Sequence, residues 1–231
     1  MKIIGRIHTD FPEKFGIPRQ SGLVPELKGK IVFEKKYRNP DAFRGLEEFS
    51  HIWVLWQFSE AIRDDWSPTV KPPKLGGNKR MGVFATRSPF RPNPIGLSSL
   101  KLESIDIDEN DGIVLYVSGV DMVDGTPIYD IKPYLPYTDC HINATSGFAG
   151  KVKDYELEVD FPEEILRVIP DNQKDCIISV LRQDPRPGYI EDDREFGVTF
   201  ADYNIRFVVK GRLLKVTKVE EKRGDYKGQE N

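Results

Sequence analysis

Short strand-like segments recur through the first part of this chain and constrain its fold more than any other feature. Seven segments are rich in β-branched and aromatic residues, and most have Gly, Pro, Asn or Asp close to one end. They cover residues 2–8, 30–37, 51–58, 82–86, 97–107, 112–120 and 127–132. Strands this closely spaced, with few long helical patterns between them, favour an antiparallel sheet or barrel over a doubly wound α/β sheet.

Two local patterns add detail to this β-rich region. Asn39 followed by Pro40 predicts the start of a short helix over residues 41–48, because proline suits the first helical turn. The apolar alternation of residues 100–107 changes phase once, which predicts a β-bulge.

The sequence changes character after about residue 137, where the polar, small residues 138–150 predict a linker. A second unit, residues 151–231, follows the linker. The predicted elements of this unit are a strand at 155–160, helices at 162–168 and at 172–182 with Asp171 as N-cap, and strands near 203–209 and 213–219. We therefore expect a small α+β domain that ends in a charged tail.

Charge is distributed unevenly along the chain. The formal net charge is −3, yet no Asp or Glu occurs between Trp66 and Leu102, where seven Lys and Arg residues lie. Such a stretch is a candidate surface for a phosphate-bearing partner, and a solvated basic loop is an equally good interpretation on charge alone.

Several classes of protein have no support in the sequence. No apolar run approaches the roughly 18 residues of a membrane helix, and the first residues lack the features of a secretory signal, so we expect a cytoplasmic protein. Cys140 and Cys176 lack metal-type spacing, and the three histidines are dispersed, so we expect no metal site. The motifs of P-loop nucleotide hydrolysis, serine hydrolases and Gly-rich dinucleotide binding are absent.

Three segments carry side chains suited to binding or chemistry. In the first, Pro18 precedes Arg19 and Gln20, and such a turn offers backbone donors and a side-chain fork to a carboxylate or phosphate. A purely structural turn is the alternative.

The second segment, residues 72–96, interleaves proline, glycine and basic residues in a pattern that does not build a core. Its candidate ligand-binding side chains are Lys79, Arg80, Arg87, Arg91 and Asn93. Phe84 and Phe90 are candidates for stacking on a base, or alternatively for burial in a core.

The third segment, residues 121–134, follows a predicted strand and contains Asp124, Asp130 and Tyr134. Asp124 begins a Gly-Thr-Pro turn and can accept hydrogen bonds from an amine or hydroxyl, although a turn alone would explain it.

Four long motifs, in order, resemble the TrmO family of tRNA (N6-threonylcarbamoyladenosine)-methyltransferases. They read KFGIPRQSGL, RGLEEFSHIWVLWQF, PPKLGGNKRMGVFATRSPFRPNPIGLS and VDGTPIYDIKPYLPY. The resemblance is dense over residues 1–137, and DPRPGY at 184–189 extends it into the second unit.

The resemblance implies a fold and a cofactor. Residues 1–137 would form a single-sheeted antiparallel β-barrel that binds S-adenosylmethionine without a Rossmann fold. The cofactor contacts implied by matching positions are Pro18, Arg19, Gln20, Ser59, Glu60, Arg87, Leu97, Asp124, Gly125, Thr126 and Pro127. Ser59 and Glu60 stand where some members have His-Gln.

The resemblance also implies a reaction, which is methyl transfer to N6 of threonylcarbamoyladenosine beside the anticodon of tRNA. Asp124, Asp130 and Tyr134 are then candidates to orient N6 or accept its proton. Arg87 or Arg91 would pair with the threonyl carboxylate, and the basic residues would bind the anticodon loop. A homodimer is implied as well.

Three other functions remain open at this stage. One is an S-adenosylmethionine-dependent methyltransferase that acts on a different nucleic acid. A non-catalytic RNA-binding module would keep the basic surface without binding the cofactor. A hydrolase of a small phosphorylated or acylated metabolite would act through the Arg and Asp residues without S-adenosylmethionine or tRNA.

Overall fold

The computed structural model describes residues 1–75, 79–152, 155–186 and 194–222. Its first eight strands are β1 (Gly5–Thr9), β2 (Lys28–Phe33), β3 (His51–Gln57), β4 (Thr69–Val70), β5 (Met81–Gly82), β6 (Ile95–Asp108), β7 (Gly112–Ser118) and β8 (Thr126–Pro133). Six of them close a barrel in the order β1-β2-β7-β6-β3-β8, with every neighbouring pair antiparallel. This confirms the predicted single-sheeted antiparallel barrel.

The barrel interior is filled by side chains, as expected for a small barrel. Every barrel strand contributes at least one fully buried apolar residue, among them Ile7, Ile31, Ile52, Leu100, Leu115 and Ile128. The alternation of apolar and polar residues that suggested strands thus reports which side chains face the interior.

The β6 strand carries the predicted bulge, because its register with β7 shifts between Leu102 and Ser104. Two other local predictions were wrong. Residues 41–48 form two 3-10 turns, Pro40–Ala42 and Leu46–Glu48, because Gly45 between them adopts a left-handed φ of 86° that no helix continues through.

Residues 82–86 are not one strand either. The β5 strand ends at Gly82, and Val83–Ala85 forms a 3-10 turn. With β4, the β5 strand makes a two-stranded ribbon inside the long connection between β3 and β6.

The remaining elements are α1 (Pro136–Asp139), β9 (Glu158–Asp160), α2 (Glu163–Leu166), α3 (Asp171–Arg182), β10 (Phe196–Phe200), β11 (Tyr203–Lys210) and β12 (Leu213–Glu221). The last four strands form a sheet in the order β10-β11-β12-β9, in which β9 runs parallel to β12. Sequence patterns missed β10. Asp171 is the first residue of α3 rather than its N-cap, which is Pro170.

The second unit packs against residues 10–27, the connection between β1 and β2. The rings of Phe11 and Phe200 meet edge to face at 5.3 Å, and the Ala201 amide donates to the Asp10 carbonyl over 2.7 Å. Barrel and second sheet share one continuous apolar core. The division into domains at residues 137 and 151 stays a prediction. Within the described residues, no helix is long and apolar enough to cross a membrane.

Candidate functional site

Three long connections leave the barrel at the same end, which we call the loop end. The strand registers fix this: Thr9 pairs with Gly29, and Lys28 pairs with Ser118. Residues 10–27, 58–94 and 119–125 therefore emerge side by side. All of the cofactor residues suggested by the sequence lie on these connections or on the adjoining strand ends.

A hydrogen-bonded pair joins two of the predicted segments. Arg87 donates through Nη1 to Oε1 of Gln20, across 67 residues of sequence, and Gln20 donates through Nε2 to the Arg19 carbonyl. Arg19 itself donates through Nη2 to the carbonyl of Arg186 over 3.0 Å. Burial lowers the pKa of the Arg19 guanidinium, and Asp184 opposes that shift. The structure thus brings Arg19, Gln20 and Arg87 together.

The polar centre of the loop end is Asp121, which the sequence reasoning passed over. Ser98 donates through Oγ to its Oδ1 over 2.6 Å, and Trp56 donates through Nε1 to Ser98 Oγ over 2.9 Å. Burial raises the pKa of Asp121 to about 6, against hydrogen bonds from Ser98 and the Ser21 amide and the charge of Arg87. The half-buried Asp121 carboxylate therefore links all three connections and β6.

Gly96 leaves space for the Trp56 ring of this network because it has no side chain. A Cβ there would lie 2.1 Å from Cε2 of Trp56, so the indole rests directly on the glycine backbone. In the sequence, the signal for Asp121 was its place just beyond β7, but the neighbouring Asp124 carried the more conspicuous turn motif.

The Asp124–Pro127 segment is fixed against the end of β1. Asp124 Oδ1 accepts a hydrogen bond from the Thr9 amide at 3.0 Å and lies 3.2 Å from Nδ1 of His8, while 45% of its side chain stays exposed. Gly125 has a φ of 74°, and the side chains of Thr126 and Pro127 are buried. A ligand can therefore reach the Asp124 carboxylate but not the Thr126 and Pro127 side chains.

Asp130 and Tyr134 do not lie at the loop end of the barrel. Asp130 sits midway along β8 and pairs with Lys132 at 3.1 Å. Tyr134 follows the far end of β8, packs against Trp53, and has its phenol pKa raised by burial. At about 3.3 Å per residue, β8 places Tyr134 roughly 25 Å from Asp124. Of the three catalytic candidates, Asp124 is the one at the loop end.

The remaining predicted contacts form the exposed rim of the loop end. Ser59 and Glu60 are exposed in a 3-10 turn, and the Leu97 side chain is 55% exposed. The Phe58 amide donates to the Pro94 carbonyl over 2.9 Å and closes the base of the 58–94 connection.

The 58–94 connection, which carries most of the basic stretch, places its predicted ligand-binding side chains at or near the surface. Lys79, Arg80 and Asn93 are exposed, and Arg80 donates to Thr69 Oγ1 over 2.7 Å. Arg91 is half-buried and donates to the Thr86 carbonyl over 3.2 Å.

Aromatic side chains lie on the same connection and are not core residues. Phe84 is 74% exposed and lies 6.0 Å from the ring of Trp66, which is 51% exposed. Phe90 is covered by Arg63, whose guanidinium carbon lies 4.0 Å from the ring centroid. The arrangement offers donors for a carboxylate, a carboxylate for an amine, and apolar faces for a flat ring.

Comparisons with known proteins cover nearly the whole chain. The family model for the tRNA-methyltransferase O N-terminal domain matches residues 6–140, and the model for the TrmO C-terminal domain matches residues 154–222.

Relatives and a solved structure agree with these matches. The tRNA (adenine(37)-N6)-methyltransferase of Escherichia coli K12 is 42% identical over 94% of this chain and 96% of its own length. RcsF of Pseudomonas aeruginosa, provisionally named an S-adenosylmethionine-dependent methyltransferase, is 38% identical over 88% of this chain and 90% of its own. A crystal structure of TrmO from P. aeruginosa superposes with a TM-score of 0.75 at 33% identity, over 94% of this chain and 97% of that one.

Proposed function

The chain belongs to the TrmO family, and from that premise we propose that it methylates N6 of threonylcarbamoyladenosine at position 37 of tRNA. At the coarser level, it is an S-adenosylmethionine-dependent tRNA methyltransferase. The threonylcarbamoyl substrate, the anticodon loop as binding site, the homodimer and the cytoplasmic location are the finer parts of the proposal.

The chemistry of the loop end fits S-adenosylmethionine. Arg19, Gln20 and Arg87 supply donors for the amino-acid carboxylate, and Asp124 supplies an accessible acceptor for its amine or for the ribose hydroxyls. The exposed Leu97 side chain offers an apolar face for the adenine. When bound, the cofactor supplies a methyl group on a sulfonium centre.

The observation that carries the proposal is the contact between Arg87 and Gln20. It joins residues 18–20 to the 58–94 connection at the loop end of the barrel, where residues 124–127 also lie. The protein's contribution to rate is then mainly positioning, because a fixed orientation removes much of the entropic barrier to transfer.

The proton that leaves N6 requires an acceptor. We assign that role to Asp124, because its carboxylate is accessible and its position is fixed by the Thr9 amide. An acylated N6 gives up its proton more readily than the N6 of plain adenosine, so a carboxylate is a sufficient base.

Selection of the modified adenosine is assigned to Arg87. Its guanidinium has five N–H donors, and the contact with Gln20 uses Nη1, so the exposed group can form a second, bidentate interaction with the threonyl carboxylate. Arg91 is the less suitable partner because it is half-buried and bound to the backbone. An Arg87→Lys variant that kept full discrimination would contradict this assignment.

The decisive experiment is transfer of labelled methyl groups from S-adenosylmethionine to total tRNA of a strain that lacks this enzyme, followed by nucleoside mass spectrometry. We expect a nucleoside one methyl group heavier than threonylcarbamoyladenosine. Labelling of unmodified adenosine would contradict the proposed substrate. Absence of both labelling and cofactor binding would favour the RNA-binding module or the hydrolase.

A further inference from the structure

Asp184 occupies an unusual position just after α3. It is a buried carboxylate, 8% exposed, with a left-handed φ of 52°. Residues other than glycine rarely adopt that conformation without support from their surroundings. Its amide donates to the Leu181 carbonyl over 3.2 Å, which ties it to the end of the helix.

The Asp184 carboxylate is surrounded by donors. Arg186 donates from Nε and Nη2 to its two oxygens, each over 2.9 Å, and Tyr155 donates its hydroxyl to Oδ2 over 3.2 Å. The two paired side chains are only 12% and 10% exposed. A bidentate pair with this little solvent fixes the guanidinium, and with it the backbone of Arg186.

That backbone makes one of the contacts between the second unit and the loop end of the barrel. The Arg186 carbonyl accepts the hydrogen bond from Arg19, whose neighbour Gln20 accepts from Arg87. A continuous series of contacts therefore runs from Asp184, through Arg186 and Arg19, to the residues that fit the cofactor carboxylate.

We propose that Asp184 is a positioning residue for the cofactor site: by fixing Arg186 it holds the turn of Arg19 and Gln20 in its binding conformation. The proposal rests on the proposed function of the loop end. It makes the second unit part of the cofactor site rather than an appendage to the barrel.

The first test is Asp184→Asn, measured by calorimetric titration of the whole protein with S-adenosylmethionine. Asparagine tolerates the left-handed conformation but loses the charge-assisted pair. We expect the Kd for the cofactor to rise about tenfold, the size of one such interaction, with the KM for tRNA unchanged. The matched control is Glu220→Gln, which breaks the Arg206–Glu220 pair of 3.1 Å in the same unit away from Arg19 and leaves the Kd unchanged.

A double-mutant cycle separates positioning from general stability. If Asp184 acts through Arg19, Asp184→Asn weakens cofactor binding far less in an Arg19→Lys background than in the wild type. Equal weakening in both backgrounds would overturn the proposal.

A second readout does not depend on the cofactor. Hydrogen exchange of residues 17–23 in the ligand-free protein should be faster in Asp184→Asn than in the wild type and Glu220→Gln. If the wild type failed to bind S-adenosylmethionine, the proposed function would fall, while this exchange would still decide whether Asp184 orders the turn. Unchanged exchange, or faster exchange with unchanged Kd in a binding-competent protein, contradicts the proposal.

Tyr155→Phe covers the case in which Asp184→Asn does not fold. It removes only the hydroxyl contact and leaves the ion pair in place. We expect a Kd increase of about twofold to fivefold, and no increase would count against the proposal.

Discussion

The two ends of the barrel differ in how they accommodate an aspartate at or just beyond the end of a strand. At the loop end, Asp121 is half-buried among long connections, and burial raises its pKa to about 6. At the other end, Asp108 closes the three-residue turn between β6 and β7. There, the amides of Asp111 and Asn110, each at 2.9 Å, together with Lys30, hold its pKa below the ordinary value.

The difference lies in how each carboxylate is compensated. Asp108 receives hydrogen bonds from the backbone of its own turn while 31% of its side chain stays exposed, so its charge costs little and stabilises a tight turn. Asp121 loses part of its contact with solvent, so its charge is costly. That cost is partly offset by Ser98, the Ser21 amide and Arg87, which come from distant segments of the chain. Perturbed groups of the second kind cluster at functional sites.

The strongest test of this comparison is Asp121→Ala. Ser98 and the Ser21 amide lose their acceptor, at about 1–3 kcal/mol for each buried group, and Arg87 loses a nearby charge. We expect kcat/KM for S-adenosylmethionine to fall about 100-fold in steady-state methyl-transfer assays. The control Asp108→Ala, at the other end, should stay within about twofold. Equal losses would show that the two ends do not differ in function.

The pH dependence of stability sharpens the comparison. The pKa of Asp121 is raised in the folded state, from 3.8 to about 6, so its stabilising contribution is complete below about pH 4 and is lost as pH rises through about 6. Relative to Asp121→Asn, the wild type should lose up to about 3 kcal/mol of unfolding free energy between about pH 4 and pH 7. The pH dependence of stability due to Asp108 has the opposite sign: its stabilising contribution is present above its unfolded pKa and is lost in acid. Urea denaturation between about pH 4 and pH 7 tests the Asp121 assignment, and parallel curves for the wild type and Asp121→Asn would refute it. The Asp108 assignment is tested below about pH 4, where the wild type should lose stability relative to Asp108→Asn.

Gly96→Ala probes the packing beneath the network. The added Cβ overlaps the Trp56 ring and should displace it from Ser98, at a cost of about 2 kcal/mol of unfolding free energy. Denaturant unfolding followed by tryptophan fluorescence measures this cost. Gly82→Ala, where a Cβ meets nothing within 4 Å, is the control and should change stability by less than about 0.5 kcal/mol.

The smallest expected effect concerns the exposed aromatic residues of the two ends. Phe84→Ala should raise the KM for tRNA about fivefold, about 1 kcal/mol, because a base loses a stacking surface, while cofactor affinity stays unchanged. Tyr137→Ala, which removes a ring that is 84% exposed beyond the far end of β8, should leave the KM for tRNA unchanged. A similar increase for both variants would remove the distinction between the ends.

The barrel and the Arg19, Gln20 and Arg87 segments were predictable because strand alternation and long motifs are local in sequence. Asp121 was not, since its burial depends on segments that meet only in the fold. Asp130 and Tyr134 are near Asp124 in sequence, but β8 places them at increasing distance from it, because a strand separates residues along its length. The helix predicted at 41–48 failed at one residue, Gly45, whose left-handed backbone interrupts it.

Closure of the barrel brings together strands from opposite ends of its sequence, because β1 pairs with β8. A contact of such long sequence separation is slow to form, since much chain must be ordered before it is gained. During synthesis, β1 cannot pair with β8 until residue 126 and those after it have left the ribosome. Asp121 and Asp124 arrive with that strand, so folding of the barrel and assembly of the site are completed in one late step.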